Sequence, residues 1–142
     1  MLNAEIATSI MLGLKLIIVV QDNRGYGCIN RLQVSCGGAS FNNLLDNCVH
    51  EGGENIPIDF AAHAASMGAI AQHVASVGAL KVALIKARQN TRTTVLVIDT
   101  TPHETTQDGG CWWEVAVPEV SERDEVRRAR ETYLHNKALQ KI

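Results

Sequence analysis

Apolar positions along the chain fall into short β-branched runs separated by stretches with helical spacing. Ile6, Ile10 and Met11 share one face of a predicted helix over residues 4–12, with Asn3 as its N-cap and Gly13 as a left-handed C-terminal cap. The run at 16–20, Leu-Ile-Ile-Val-Val, has no polar alternation and predicts a strand covered on both faces, as in a parallel sheet. It ends in the turn-prone segment Gln21, Asp22, Asn23, Arg24 and Gly25. A further helix starts over 28–33, and residues 35–55, rich in Gly, Ser and Asn, read as a long loop. Asp59 is placed to cap a helix over 60–67 that Gly68 closes. Residues 69–75 form a second strand with Ile70, Gln72 and Val74 on one face. Residues 77–89 form a helix whose apolar positions are Leu80, Val82, Ala83, Leu84 and Ala87, and residues 93–99 form a third buried strand. After an irregular stretch over 100–120, a last helix begins near Ser121, with Ser121 and Asp124 spaced like a capping box. Val126, Ala129, Tyr133 and Leu134 give it a narrow apolar stripe on an otherwise charged surface.

Alternation of helix and strand predicts an α/β fold of three layers: a mostly parallel sheet with helices on both faces, joined by right-handed crossovers. The 142 residues suit one domain, and an aromatic content of 4% means an aliphatic core. A formal charge of -2 gives no electrostatic reason to expect nucleic acid or an anionic membrane as partner. Cys28, Cys36, Cys48 and Cys111 include no C-x-x-C pair, so they read as reduced cytosolic thiols rather than a zinc site. Glu5 stands where a signal peptide carries positive charge, and the run at 16–20 is too short to cross a bilayer. The expectation is a soluble, cytoplasmic protein.

The segment with chemical content is the strand followed by Asp22, Asn23, Arg24, Gly25, Tyr26 and Gly27. Ligands of parallel α/β sheets gather at the carboxyl ends of the strands. Mg²⁺ takes oxygen ligands in near-octahedral geometry, and an Asn amide oxygen with a backbone carbonyl two residues on supplies two of them. Glycine lets the backbone come close to a phosphate. The same residues also describe an ordinary turn. His63 and His73 fall on a helix and a strand as packed or surface residues; His50 and His103 lie in the two long irregular stretches, where contact with a substrate is the lesser of the alternatives. Cys28 reads as a small buried thiol, Trp112 and Trp113 as an interface pair, and Glu5 as a favourable charge near a helix N-terminus.

The stretch from Leu2 through Thr8, Gly13-Leu14-Lys15, the strand and Asp22 through Gly27 resembles the fingerprint of thiamine-diphosphate-dependent enzymes. That fingerprint begins with Gly-Asp-Gly and closes on an Asn after a strand. The resemblance implies that Asn23 is the closing Asn, and that Gly25 supplies the carbonyl completing the protein part of the Mg²⁺ shell. It also puts Tyr26 and Gly27 in the turn beside the diphosphate. Asp59, Phe60, Ala64 and Gly68 are similar to the helix before a later strand of the family. Within the family, residues 24–33, 59–70 and 112–121 look most like members that hydrolyse a C–C bond of a small cyclic dione. The resemblance therefore implies thiamine diphosphate and Mg²⁺ as cofactors, a homo-oligomeric parent, and a chain that is the C-terminal portion of the cofactor domain, incomplete at its N-terminus. It names no catalytic acid or base here. Because Gly-Asp-Gly is absent, the chain alone is expected to be inactive and to bind cofactor weakly or not at all. An exposed sheet edge and self-association are expected with it. An acetolactate-synthase-like lyase and a non-catalytic binding module remain open alternatives.

Overall fold

The computed structural model describes residues 3–48, 58–104 and 114–140. Expectations for Pro57, His50, Cys111, Trp112 and Trp113 lie outside these residues. The chain divides into two compact units, Met1–Asn23 with Ile56–Thr100, and Arg24–Asn55 with Thr101–Ile142.

The first unit holds helix α1 (Ala4–Met11), strand β1 (Ile17–Asp22), then α3 (Phe60–Ser66), β2 (Ile70–Val74), α4 (Val77–Gln89) and β3 (Thr94–Asp99). Helix α2 (Gly27–Ser35) belongs to the second unit. The strands lie in the order β1-β3-β2, and both pairings are parallel. Ile17 to Asp22 stand opposite Thr94 to Asp99, and Ile70 to Val74 opposite Thr94 to Ile98. Helices cover both faces, as the alternation of patterns predicts. Ile6 of α1 and Ala61 and Ala64 of α3 pack on Val95 and Val97, while Ala83, Leu80 and Leu84 of α4 pack on Leu96 and Val74. Small alanines at these contacts let the helices approach the sheet closely, as a core poor in aromatics requires.

The central strand is β3, whose residues Thr94 to Val97 are all buried. In β1, by contrast, only alternate residues are covered. Ile18 and Val20 join the core, whereas Ile17 and Val19 are each 38% exposed. The run at 16–20 was expected to be covered on both faces; β1 is instead an edge strand of the described sheet, and the face that carries Ile17 and Val19 is only partly covered.

Caps set the helix limits. Asp59 Oδ1 accepts the Ala62 N–H at 2.8 Å and Ser76 Oγ accepts the Ala79 N–H at 3.1 Å. Past α1, Gly13 has φ 65°, its N–H donates to the Ile10 carbonyl, and the Leu14 N–H donates to the Ser9 carbonyl at 2.8 Å. This doubled closure satisfies two end carbonyls and needs a left-handed residue at its centre. Asn3 is not the expected cap: its backbone is helical (φ -63°, ψ -23°), which takes its side chain away from the first-turn N–H groups. Its amide lies 2.9 Å from His63 Nε2 instead. The buried face of α1 also differs from the expected one, since Ser9 is buried and Met11 is 85% exposed. Val82 of α4 faces solvent too.

In the second unit, α2 and α5 (Asp124–Leu139) enclose an apolar cluster of Val117, Val126 and Tyr133 with Cys36 and Ala129. Tyr133 donates to Glu114 Oε1 at 2.8 Å, and Lys137 Nζ lies 3.0 Å from the same carboxylate oxygen. The capping box expected of Ser121 and Asp124 does not form. Ser121 Oγ accepts the Arg123 N–H at 3.1 Å ahead of the helix, which starts only at Asp124. Of the expected stripe, Val126, Ala129 and Tyr133 pack inward and Leu134 is half exposed. Residues 35–48, the described part of the expected loop, hold more structure than a plain loop implies: α2 runs on to Ser35, a 3₁₀ turn spans Leu45–Asn47, and Leu44 is buried. No helix among the described residues is long and apolar enough to cross a membrane.

Candidate functional site

β1 delivers its last residues to the carboxyl end of the parallel sheet. Asp22 is buried and stands in register with Asp99, and the Thr100 N–H donates to the Asp22 carbonyl at 2.8 Å, extending the pairing beyond the strand. Asn23 follows at once, half-buried. Among the described residues its side-chain amide takes no hydrogen-bond partner, so its oxygen is available to a ligand.

The chain then turns through two positive φ values, 57° at Arg24 and 150° at Gly25. Gly25 forms an isolated antiparallel bridge with Leu44. The two bonds that make the bridge come from the flanking residues: Tyr26 N–H to the Asn43 carbonyl at 2.6 Å, and Leu45 N–H to the Arg24 carbonyl at 2.8 Å. In that arrangement Gly25 and Leu44 are the close, non-hydrogen-bonded pair, and the carbonyl of Gly25 points away from the Leu44 segment. Only glycine fits here. A Cβ would lie 2.8 Å from the Leu44 Cα and closer still to the Asn43 carbonyl oxygen. Tyr26, whose ring is 73% exposed, directly precedes α2, and Gly27 is the buried first residue of that helix. No side chain caps α2, so its first N–H groups are free of that competition.

Asn23, Gly25, Tyr26 and Gly27 are thus consecutive or nearly so in the chain, with Asn23 closing the first unit and the others opening the second. The remaining candidates lie elsewhere. His63 is on α3 beside Asn3, and His73 is on β2 with Nε2 3.3 Å from Asp59 Oδ1. His103 lies in irregular chain, its N–H on Thr101 Oγ1. Cys28 is exposed rather than buried, because α2 turns it outward onto an apolar groove of about 660 Å³ in the second unit, shared with Leu32, Cys36, Val117 and Tyr133. No group of three or more His, Cys, Asp or Glu residues gathers among the described residues.

Charge effects are local. The Ala62 N–H at the α3 cap holds the Asp59 carboxyl below its usual range, helped by His73. Hydrogen bonds from Lys137 and Tyr133 lower Glu114, and Glu114 in turn raises Lys137. Glu125 is lowered by the backbone N–H at the start of α5 and by Arg123.

The bracing of Gly25 by Asn43 and Leu44 was not legible in the sequence. Its only trace was the density of Asn and Ser over 38–47, which reads equally well as an unstructured loop.

A parallel sheet with helices on both faces defines an α/β domain. Residues 1–98 match the family described as "Thiamine pyrophosphate enzyme, C-terminal TPP binding domain", and the chain belongs to that family. It is 37% identical over 140 residues, 96% of its length, to the 3D-(3,5/4)-trihydroxycyclohexane-1,2-dione hydrolase of Bacillus cereus (strain AH820), of which it covers 22%. The protein of the same name from Clostridium botulinum (strain Eklund 17B / Type B) is 37% identical over 135 residues, 92% of this chain and 21% of the relative. The chain therefore spans about a fifth of the length of the curated relatives it matches.

Proposed function

We propose that residues 1–142 are the C-terminal portion of the thiamine-diphosphate-binding domain of a cytoplasmic, homo-oligomeric hydrolase. That enzyme opens the ring of trihydroxycyclohexane-1,2-dione at a C–C bond, giving a 5-deoxy-glucuronate in inositol breakdown. The relatives' printed names support the substrate, and their identity to this chain extends over nearly all of it. Bound thiamine diphosphate supplies the carbanion chemistry that cleavage of a C–C bond next to a carbonyl requires.

The residues of this chain hold and orient. The Asn23 amide oxygen and the Gly25 carbonyl are the ligands offered to a Mg²⁺ on the diphosphate. Tyr26, Gly27 and the uncapped first turn of α2 lie beside the phosphates, where backbone N–H groups and the helix dipole favour negative charge. The observation that carries this reading is the Gly25 carbonyl, turned out of its bridge two residues after Asn23, which follows β1 and whose side chain has no hydrogen-bond partner among the described residues.

Both offered ligands are neutral, and the 142 residues contain no Gly-Asp-Gly to add a carboxylate. Titration calorimetry of the chain with thiamine diphosphate and Mg²⁺ is expected to give an affinity weaker than micromolar. In a full-length enzyme carrying this sequence, Asn23→Ala abolishes cofactor retention; unchanged retention removes Asn23 from the site. Product analysis with the cyclic dione is expected to yield the open-chain acid. Formation of acetolactate from pyruvate would move the assignment to a lyase.

A further inference from the structure

The Gly25 turn is held by a segment that has little regular structure of its own. Consecutive positive φ values at Arg24 and Gly25 are sparsely populated conformations, and they persist only where surrounding contacts fix them. Here the fixing contacts are the backbone bonds to Asn43 and Leu45. The segment bearing those residues is in turn tied to one face of α2. Gln33 Nε2 donates to the Ala39 carbonyl, and Asn43 Nδ2 donates to Gln33 Oε1 at 2.5 Å. One turn earlier, Asn30 is buried and its Oδ1 accepts from Ser40 Oγ at 2.5 Å, and Ser40 Oγ accepts from Asn47 Nδ2. Asn30 and Gln33 are three residues apart on the helix, so both rungs rise from the same face.

We propose that Gln33 and Asn43 are positioning residues for the Gly25 carbonyl, acting through the Asn43 backbone on the bridge that sets the direction of that carbonyl toward a diphosphate-bound divalent cation. The proposal rests on the metal-binding reading of Gly25 given above. The Asn43 amide anchors its own residue to α2, and the carbonyl of the same residue grips Tyr26, so losing the anchor frees the grip. The link has a chemical polarity. Gln33 must offer an acceptor to Asn43, and Glu retains that acceptor while Met does not.

The test uses the ¹⁵N-labelled chain with Mn²⁺ and inorganic diphosphate as probe, read by paramagnetic broadening at Gly25 and by hydrogen exchange of the Tyr26 amide. The Val97 amide in β3 reports whether the fold is intact. Gln33→Met and Asn43→Ala are expected to speed Tyr26 exchange by about tenfold and to raise the Mn²⁺ midpoint by about tenfold. Gln33→Glu keeps the acceptor for Asn43 but loses the donor to Ala39, so it falls between the parent and Gln33→Met on both, and Val97 is unmoved in all three. Parent-like Tyr26 exchange in Gln33→Met overturns the proposal. Faster exchange with an unchanged Mn²⁺ midpoint also overturns it, because the network is then structural only. Because the affinity expected of the chain is weaker than micromolar, Mn²⁺ and diphosphate are carried into the millimolar range; absence of broadening at Gly25 in the unsubstituted chain there is a separate result that overturns the metal reading itself, and the positioning role with it.

Discussion

The hydroxyl oxygens of Ser9 and Thr93 lie 2.7 Å apart in the interior of the first unit, though the residues are far apart in sequence. Ser9 Oγ is also 2.7 Å from the Ile6 carbonyl, and Thr93 Oγ1 accepts the Leu16 N–H at 3.1 Å. Each hydroxyl has one proton. Thr93 Oγ1 also lies 3.2 Å from the Leu14 carbonyl, so its one proton serves either Leu14 or Ser9, and the group ties the end of α1, the approach to β1 and the start of β3 at one point. Thr93 is completely buried, so nothing replaces its hydroxyl if it is lost.

Thr93→Val keeps the shape and removes the oxygen. It leaves the Leu16 N–H without its hydroxyl acceptor and Ser9 Oγ with the Ile6 carbonyl alone. The expected loss is about 1–3 kcal/mol in urea unfolding, and Thr93→Ser recovers most of it. A loss in Thr93→Val below about 0.5 kcal/mol would mean that water reaches the site.

Core and surface positions of the sheet should separate cleanly. Leu96 is 1% exposed and packs under α4 with Val74 and Ala83, while Val82 of the same helix is 68% exposed. Leu96→Ala is expected to cost about 2–5 kcal/mol, combining lost burial with the cavity left behind. Val82→Ser, where nothing packs, is expected to stay within about 0.5 kcal/mol. Equal effects at the two positions, measured by chemical unfolding, would contradict the placement of α4.

These contrasts show where sequence patterns carry the fold and where they stop. The β-branched runs at 17–20 and 94–98 locate their strands, because burial and β propensity agree there, and α4 spans the residues its apolar spacing predicts. Asp59 caps α3 as its position suggests. Asn3 fails as a cap and Ser121 caps nothing, since capping depends on the backbone conformation of the capping residue, which residue type only biases. One-sided burial of β1 is a tertiary fact: Ile17 and Ile18 are chemically identical, and what distinguishes them is that Ile18 packs into the core shared with α1 and α3. At the candidate site, Asn23 and Gly25 stand out in the sequence. The hold of Asn43 and Leu44 on Gly25 joins residues whose pairing no local spacing encodes.

Asp59 gives the first unit a pH dependence with a definite sign. Its carboxylate accepts the Ala62 N–H and faces His73, and its pKa is lowered from the ordinary 3.8. A depressed carboxyl pKa stabilises the fold above the unfolded value and loses that contribution as pH falls through the folded one. Thermal unfolding followed from about pH 5 down to about pH 2 should therefore drop more steeply in the parent than in Asp59→Asn, which keeps a capping oxygen but cannot titrate. Parallel curves for the two proteins would show that the cap carries no charge-dependent stability.

Exposed apolar surface along β1 predicts self-association of the isolated chain. Leu14 is 57% exposed, Leu16 42%, and Ile17 and Val19 38% each, on a strand whose outer edge is unpaired in the described sheet. Such an edge offers both backbone hydrogen bonds and an apolar flank to another copy, and β1 has no proline and no inward charge before the buried Asp22 at its end. Sedimentation velocity is expected to show weight-average mass rising with concentration. Ile17→Lys with Val19→Lys places like charges on the open flank while Ile18 and Val20 keep their core contacts, so the double variant should remain closer to a monomer with its circular dichroism retained. A parent chain that sediments as one monomeric species across the concentration range would show that the β1 edge is too twisted or too short to pair, and that its apolar flank alone does not drive association.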